Sequence, residues 1–293
     1  MKHWQETAAV LERLAGLAPG RRAALATVVR IDGSAYRRPG AKLLVPEDGD
    51  TSGGVSGGCL EADVREVARE VIRSGRPRLR HYETGSEVSG VFGLGLGCEG
   101  AVDVFVLRLP DGMPEDVQRR AAELLAARAP FSLSIALEGP EEGTLRVAAE
   151  PAGAGAADAA RSAATFVERL APPPRLAVFG AGDDAIPLCR IAALAGFDVL
   201  VVDHRPAYLT AERFPDPVRR VLRRSDEGLA GLGLGRGQLA VVQTHALEHD
   251  RAWMRALLRE PLAYLGLLGP RSRRDDLLRE LGLADDPPRQ LYA

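Results

Sequence analysis

The segment RLAVFGAGDDA, residues 175–185, decides the fold of the second half of the chain. A short apolar run ends at Gly180, a second glycine follows at Gly182, and the small Ala185 opens a helical pattern. A strand that turns tightly into a helix in this way is typical of the first strand and helix of a dinucleotide-binding unit. We therefore expect this turn to place the free N–H groups of a helix N-terminus at the edge of a sheet, where they could bind a phosphate.

Further apolar runs follow the first, separated by helical patterns. They are DVLVVD (198–203), RRVLRR (219–224), QLAVVQT (238–244) and AYLGLLG (263–269). Strands separated by helices need crossover connections, and these give a parallel sheet. The pattern predicts a Rossmann-like, doubly wound α/β domain over residues 175–293. Asp203 ends the second strand of this domain, where a carboxylate would bind a ribose 2′-hydroxyl.

The first half of the chain is less regular. Strand-like runs at residues 23–33 and 101–109 flank a helical pattern over about residues 60–74. We predict an α+β domain over residues 1–150. Residues 151–174 are rich in Ala, Gly and Pro, and we interpret them as a linker with one short helix.

Composition limits the classes of partner. Lys and Arg (38 residues) nearly balance Asp and Glu (40 residues), and neither sign forms a long block, so we expect no nucleic-acid partner. The first residues lack the unbroken apolar run of a signal peptide or membrane span, so we expect a cytoplasmic protein without a membrane partner. The three cysteines are widely spaced, which fits neither a disulfide framework nor a four-ligand zinc site.

Two glycine-rich segments each contain one of these cysteines. In SGGVSGGCLE, residues 52–61, Cys59 comes just before a helical pattern. A helix N-terminus favours the thiolate, and bare backbone N–H groups can bind an anion. FGLGLGCEG, residues 92–100, sets Cys98 among glycines before a strand, with the acidic Glu99 beside it. Alternatively, the glycines permit turns with positive φ and the cysteines fill small apolar spaces.

A third polar segment, QTHALEHD (residues 243–250), follows the fourth strand of the second half. If the helix begins there, His245 and His249 share one face with Asp250 adjacent, which would suit a metal pair. The alternative is that Thr244 caps the helix and the histidines are surface residues. We expect His245 to contact a ligand.

Charges near the predicted phosphate site have both signs. Asp183 and Asp184 would oppose an anion unless they point outward or meet a cation. After the fifth strand come Arg271, Arg273 and Arg274, which would hold an anionic group or solvate the start of a helix.

Seven motifs in order resemble the XdhC/CoxI family, whose members are maturation factors for xanthine dehydrogenase, carbon monoxide dehydrogenase and related molybdenum hydroxylases. The motifs are TVVRIDGSAYRRPGAKLLV (27–45), GGVSGGCLEADV (53–64), GLGLGCEG (93–100), VFGAGDDAIPL (178–188), VVDHRP (201–206), QTHALEHD (243–250) and YLGLLGPRSRRD (264–275). They extend through both halves of the chain.

The resemblance implies a molybdenum cofactor chaperone that protects the cofactor while its sulfido ligand is installed and then passes it on. The cofactor would be molybdopterin or its dinucleotide form. Cys59 would contact molybdenum and Gly57 and Gly58 would shape its loop, with Cys98, Gly180, Gly182, Asp203, His245 and Arg271 as the other cofactor-binding residues. The resemblance implies an apo molybdenum hydroxylase and a cysteine desulfurase as partners, and it leaves a homodimer open.

Two enzyme classes remain as alternatives. Gly180, Gly182 and Asp203 would also fit an NAD(P)-dependent oxidoreductase, although the second domain offers no hydride-transfer site with a convincing acid or base. A thiol enzyme would need a histidine beside Cys59, and His81 is the residue to examine. We expect an accessory factor without turnover of its own.

Overall fold

The computed structural model describes residues 2–17, 20–83, 100–110, 113–151, 159–284 and 289–292. The chain divides into two compact units, Lys2–Pro172 and Pro173–Ala293. Each unit has its own hydrophobic clusters.

The first unit contains two antiparallel sheets and three helices in its described ranges. Its elements are α1 (Lys2–Ala15), β1 (Ala23–Gly33), β2 (Lys42–Pro46), β3 (Ser52–Gly53), α2 (Glu61–Ser74), β4 (Arg78–Glu83), β5 (Gly100–Leu109), α3 (Glu115–Ala126), β6 (Phe131–Ala136), β7 (Leu145–Ala149), β8 (Ala159–Arg161) and β9 (Thr165–Leu170). The larger sheet has the strand order β3-β2-β1-β5-β4, and the smaller has the order β7-β6-β9-β8.

The larger sheet is buried on both faces because its strands carry apolar residues on both sides. The apolar stripe of α2, which includes Val64 and Val71, packs on one face. On the other face, residues of β1 and β5 join the core formed by α1, α3 and the smaller sheet. Trp4 of α1 meets Phe131 of β6 edge to face, with ring centroids 5.5 Å apart. The cysteine segment 52–61 therefore leads into a helix that is anchored along its length.

The expected linker at residues 151–174 contains strands instead of a short helix. β9 pairs with β6 over its full length, and β8 pairs with β9. Phe166 and Leu170 are buried on one side of β9, which is the alternation of a half-buried strand. The first unit thus extends to Pro172 rather than ending at residue 150.

The second unit is a parallel, doubly wound sheet. Its elements are β10 (Arg175–Phe179), α4 (Ala185–Leu194), β11 (Asp198–Asp203), β12 (Arg219–Leu222), β13 (Leu239–Val242), α5 (Leu247–Leu257), β14 (Tyr264–Leu267), α6 (Arg271–Glu280) and β15 (Leu291–Tyr292). The strand order is β12-β11-β10-β13-β14-β15, with every pair parallel. The order reverses at β10, which makes the carboxyl end of β10 the usual place for a ligand. The predicted fold class is confirmed.

In the described ranges, no helix combines the length and apolar character that a bilayer span requires.

Candidate functional site

The cysteine loop, defined here as residues 54–60, is held in shape by Glu61. The Glu61 carboxylate accepts hydrogen bonds from the backbone N–H of Ser56 at 2.9 Å and of Val55 at 3.2 Å, and from the Ser56 hydroxyl. Burial alone would raise the pKa of Glu61, but hydrogen bonds from Ser56 and Val55 outweigh burial and lower it. The carboxylate therefore stays ionised and bound to the loop at neutral pH.

Ser56 also fixes the backbone on both sides of Cys59. Its Oγ accepts hydrogen bonds from the N–H groups of Gly58 at 3.0 Å and Leu60 at 3.1 Å. Gly58 has a φ of 118°, which disfavours any side chain there. Cys59 is half-buried and packs against the core under α2. Several N–H groups that we expected to bind an external anion are thus occupied by the protein's own side chains.

His81 does not approach Cys59. On β4, Tyr82 packs into the core under α2 that Cys59 also contacts, so its neighbour His81 points to the opposite sheet face. There His81 Nδ1 lies 2.6 Å from Asp103 Oδ1, and Arg161 donates to the other oxygen. Burial would raise the pKa of Asp103, but the His81 and Arg161 hydrogen bonds lower it. This geometry does not support a Cys59–His81 catalytic pair.

Cys98, the other predicted cofactor contact in the first unit, lies outside the described residues. The strands β4 and β5 that precede and follow its segment are paired from Arg78–Val106 to Glu83–Ala101.

In the second unit, Gly180 and Gly182 of the turn after β10 differ in whether a side chain could fit at their positions. Gly180 has a φ of 111°, and a Cβ there would lie 2.4 Å from the carbonyl oxygen of Gln243. This position needs glycine for the fold itself, because backbone blocks any side chain. At Gly182 a Cβ would lie 2.6 Å from Asp184 Oδ1, which belongs to a movable side chain. The Asp184 carboxylate thus lies beside Gly182 at the start of α4, and a phosphate in the predicted site would have to displace that side chain.

Asp203 stabilises the turn at residues 180–182 through hydrogen bonds. Its side chain is 2% exposed. Oδ2 accepts from the Ala181 N–H at 2.7 Å and Arg205 Nη2 at 2.9 Å, while Oδ1 accepts from Arg205 Nε at 3.0 Å. Burial would raise the pKa of Asp203, but the bonds from Arg205 and Ala181 lower it to about 2. A ribose hydroxyl at this carboxylate would have to share it with Arg205 or displace Arg205.

Asp183 and Asp184, which follow Gly182, each contact a basic side chain. Asp183 Oδ1 accepts from Arg213 Nη2 at 2.9 Å. Asp184 Oδ2 lies 3.0 Å from His245 Nε2, and Asp184 Oδ1 also accepts from the N–H of Ala185 at 3.1 Å. The repulsion that these carboxylates would exert on an anion is thus offset by Arg213, and further by His245 when it is protonated.

The two histidines of QTHALEHD have separate surroundings. His245 has a φ of 60° and precedes α5, which begins at Leu247, so it shares no helix face with His249. The His249 ring lies against His204, with centroids 4.5 Å apart, and its Nδ1 is 3.0 Å from Ser225 Oγ. Within the described ranges, no group of three or more His, Cys, Asp or Glu side chains is placed to hold a metal ion. The metal-pair interpretation is therefore wrong.

The start of α5 is also stabilised differently from expectation. Asp250 is fully buried and accepts from the Thr244 N–H at 3.1 Å, from the Thr244 hydroxyl and from Arg273. The helix residue therefore reaches back to Thr244, whereas in the alternative interpretation Thr244 caps the helix. Arg271 is exposed at the first position of α6 and forms no ion pair with the residues that the structure describes.

Three residues of these sites were not predicted from the sequence: Tyr36, Glu61 and Gln243. The Tyr36 ring lies against Gly57. Gln243 is 3% exposed, and its Nε2 atom has no partner among the described residues. The sequence signal for Gln243 is a polar residue directly after an apolar strand. The signal for Glu61 is an acidic residue in the first turn of a predicted helix, which is common and unspecific. No sequence signal points to Tyr36.

Comparisons with known proteins agree with these two units. Residues 17–83 match the sequence model of the XdhC and CoxI family, and residues 176–293 match that of the XdhC Rossmann domain. The chain is 32% identical to a protein of Bacillus subtilis described as a probable xanthine dehydrogenase subunit, with 92% of this chain and 85% of the relative covered. It is 29% identical to the molybdenum cofactor insertion chaperone PaoD of Escherichia coli, with 88% and 80% covered.

A solved structure has the same fold. The crystal structure described as a xanthine dehydrogenase from Bacillus halodurans superposes with a TM-score of 0.80 at 28% identity, covering 100% of this chain and 88% of that one. The chain belongs to the XdhC and CoxI family.

Proposed function

We propose that this protein binds the molybdenum cofactor as cargo, protects it during sulfuration and inserts it into a xanthine dehydrogenase-type molybdenum hydroxylase. The name of the Escherichia coli relative, a molybdenum cofactor insertion chaperone, supports a role in maturation, and that of the Bacillus subtilis relative supports xanthine dehydrogenase as the kind of enzyme concerned. The observation that carries the proposal is the position of Cys59. It is a half-buried thiol in a preformed glycine loop at the start of α2.

The chemistry of this loop fits the cargo. Molybdenum in the cofactor is bound by dithiolene sulfur, and soft thiolate ligands suit such a metal centre. Gly57 and Gly58 are exposed and have no side chains to obstruct a bulky ligand beside Cys59. In this proposal Cys59 contacts the metal, and the Glu61 hydrogen bonds hold the loop open for it.

In the second unit, we assign a phosphate- or nucleotide-binding site to the start of α4. Gly182 is half-buried and has no side chain at the start of α4, and His245 lies over it, with ring atoms 3.6 Å from a Cβ placed there. The unpartnered Nε2 of Gln243 supports the assignment, because β13 alternation places that side chain on the same sheet face as α4. The nucleotide of the dinucleotide cofactor and NAD(P) are the two ligand classes to compare.

The partners that follow from this role are an apo molybdenum hydroxylase, which receives the cargo, and a cysteine desulfurase, which supplies its sulfur. A carrier of this kind needs no chemistry of its own. Its contribution is to exclude water and oxidants from a labile ligand while holding it in place.

The test is cofactor uptake by the full chain. Wild type, Cys59→Ala and the control Cys189→Ala are incubated anaerobically with molybdopterin released from a purified molybdenum hydroxylase, then separated from free cofactor by gel filtration. Pterin content is measured by fluorescence after oxidation. We expect near-stoichiometric uptake by wild type and control and loss of uptake in Cys59→Ala. Equal uptake by Cys59→Ala would remove the thiol from the site, and no uptake by wild type would refute the carrier role.

A further inference from the structure

The ring of Tyr36 lies on the bare backbone of the cysteine loop. A Cβ at Gly57 would be 3.4 Å from Tyr36 Cγ and 3.6 Å from each Cδ atom. The tyrosine is nevertheless 74% exposed. It therefore contacts the loop with a small part of its surface and presents most of the ring to solvent.

The neighbours of Tyr36 hold it in this position. Arg37 Nη2 donates to Glu6 Oε2 at 2.6 Å, and both of these side chains are largely buried. Ala35 packs against the same core cluster that Cys59 contacts. The chain is therefore fixed on both sides of Tyr36, so its ring is presented by an anchored segment and loses little further entropy when it binds a ligand.

We propose that Tyr36 is a stacking surface for the planar pterin of the cargo, beside the thiol of Cys59; this inference rests on the proposed function. An aromatic side chain binds any flat heterocycle through its π-face, at low entropic cost because it has only two side-chain torsions. A Cβ at Gly57 would be in ordinary van der Waals contact with the ring, so the ring lies directly over the backbone at this position. A tyrosine that served only to cover the loop would be buried against it, and Tyr36 is exposed.

The test compares three variants of the full chain: Tyr36→Phe, Tyr36→Leu and Tyr36→Ala. The probe is molybdopterin released anaerobically from a purified molybdenum hydroxylase, and the dissociation constant is measured by equilibrium gel filtration. We expect Tyr36→Phe to bind like wild type, because it keeps the ring. Tyr36→Leu and Tyr36→Ala should bind on the order of tenfold more weakly, the usual cost of losing one stacking contact. Melting temperatures should match wild type, because the side chain is exposed.

A second measurement separates stacking from apolar contact. The pterin absorbance band should change on binding to wild type and to Tyr36→Phe, and this change should be absent with Tyr36→Leu. Wild-type affinity in Tyr36→Leu or Tyr36→Ala would overturn the stacking role. If those variants bind normally while Cys59→Ala fails, the carrier function stands and this inference alone is wrong. If wild type takes up no molybdopterin, both are wrong.

Discussion

Ser56 and Glu61 are joined twice, through the Ser56 backbone N–H at 2.9 Å and through its hydroxyl, and this pair closes the loop that leads to Cys59. The loop is therefore shaped before any ligand arrives. A glycine-rich segment without such a pair would lose considerable backbone entropy on binding. The Ser56–Glu61 pair reduces that cost at the residues next to the thiol.

Glu61→Gln should lower the free energy of unfolding by about 1 kcal/mol at neutral pH, because the hydrogen bonds to a charged acceptor are weakened. The pKa of Glu61 is lowered on folding from 4.5, so its contribution is present above that value and is lost as pH falls through the folded-state pKa. The difference between wild type and variant in urea unfolding should therefore shrink in acid. Glu66→Gln, an exposed residue of the same helix, is the control and should change little. A difference that grows in acid would contradict this.

Gly180→Ala and Gly182→Ala should have different effects. At Gly180 the new Cβ meets the backbone oxygen of Gln243 and the φ is positive, so we expect a loss of stability of about 3 kcal/mol or more. At Gly182 the new Cβ would be too close to the side chain of Asp184, which can rotate, and in ordinary contact with the His245 ring, so the protein should fold normally.

Thermal unfolding measures the stability of the Gly180→Ala and Gly182→Ala variants relative to wild type. If the second unit binds a nucleotide, titration with NAD(P) or with a cytidine or guanosine diphosphate should show weaker binding to Gly182→Ala than to wild type. Normal stability of Gly180→Ala would mean that the turn is not as described.

Asp203→Asn should destabilise the protein by about 2 kcal/mol at neutral pH, because a buried acceptor of charged and backbone donors is weakened. Folding lowers the pKa of Asp203 from 3.8 to about 2. The stabilisation from this carboxylate is therefore fully present above the unfolded value and is lost as pH falls toward 2. Denaturant unfolding of wild type and Asp203→Asn between neutral pH and pH 2 measures this loss. If the difference in their free energies of unfolding stayed the same down to the lowest pH, the Asp203–Arg205 pair would not be the source of the stabilisation.

Thiol labelling should distinguish two cysteines. Burial raises the pKa of Cys189 to about 12, and the side chain is fully buried, so it should resist iodoacetamide in the folded protein. Cys59 is partly exposed and should be alkylated at least about tenfold faster. Peptide mass spectrometry at timed intervals measures both rates, and labelling in denaturant confirms that each thiol can react. Equal rates in the folded state would contradict the burial of Cys189.

Lys42 and Glu168 form a buried ion pair that joins β2 to β9, with side chains 3% and 2% exposed. Lys42→Met alone should cost about 3–5 kcal/mol, because the buried Glu168 carboxylate loses the lysine ammonium and keeps the His3 ring, 3.0 Å away, in its place. Adding Glu168→Leu to Lys42→Met should restore much of the loss. Urea unfolding of the single and double variants measures the coupling, and a double variant that is less stable than Lys42→Met would refute the explanation.

Much of the second unit was determined by the sequence alone. The apolar runs of β10, β11, β13 and β14 are local signals, and the helical intervals between them require parallel neighbours. The turn at Gly180 follows from residues adjacent in the chain. The strand β8 was missed because its segment lacks large apolar residues. Phe166 and Leu170 alternate in β9, but this strand depends on pairing with β6, which precedes it in the chain by about 30 residues, and β8 in turn depends on pairing with β9.

What the site residues contact was decided by tertiary structure. Asp203 was placed correctly at the end of β11, but its bond to Ala181 depends on which strand lies beside it. His245 and His249 are close in sequence yet have different partners, because the helix begins between them. Tyr36 meets Gly57 only because two loops of the first unit come together in the fold. Sequence periodicity reports which side of an element is buried, whereas a hydrogen bond or ring contact depends on distances between segments that the fold alone brings together.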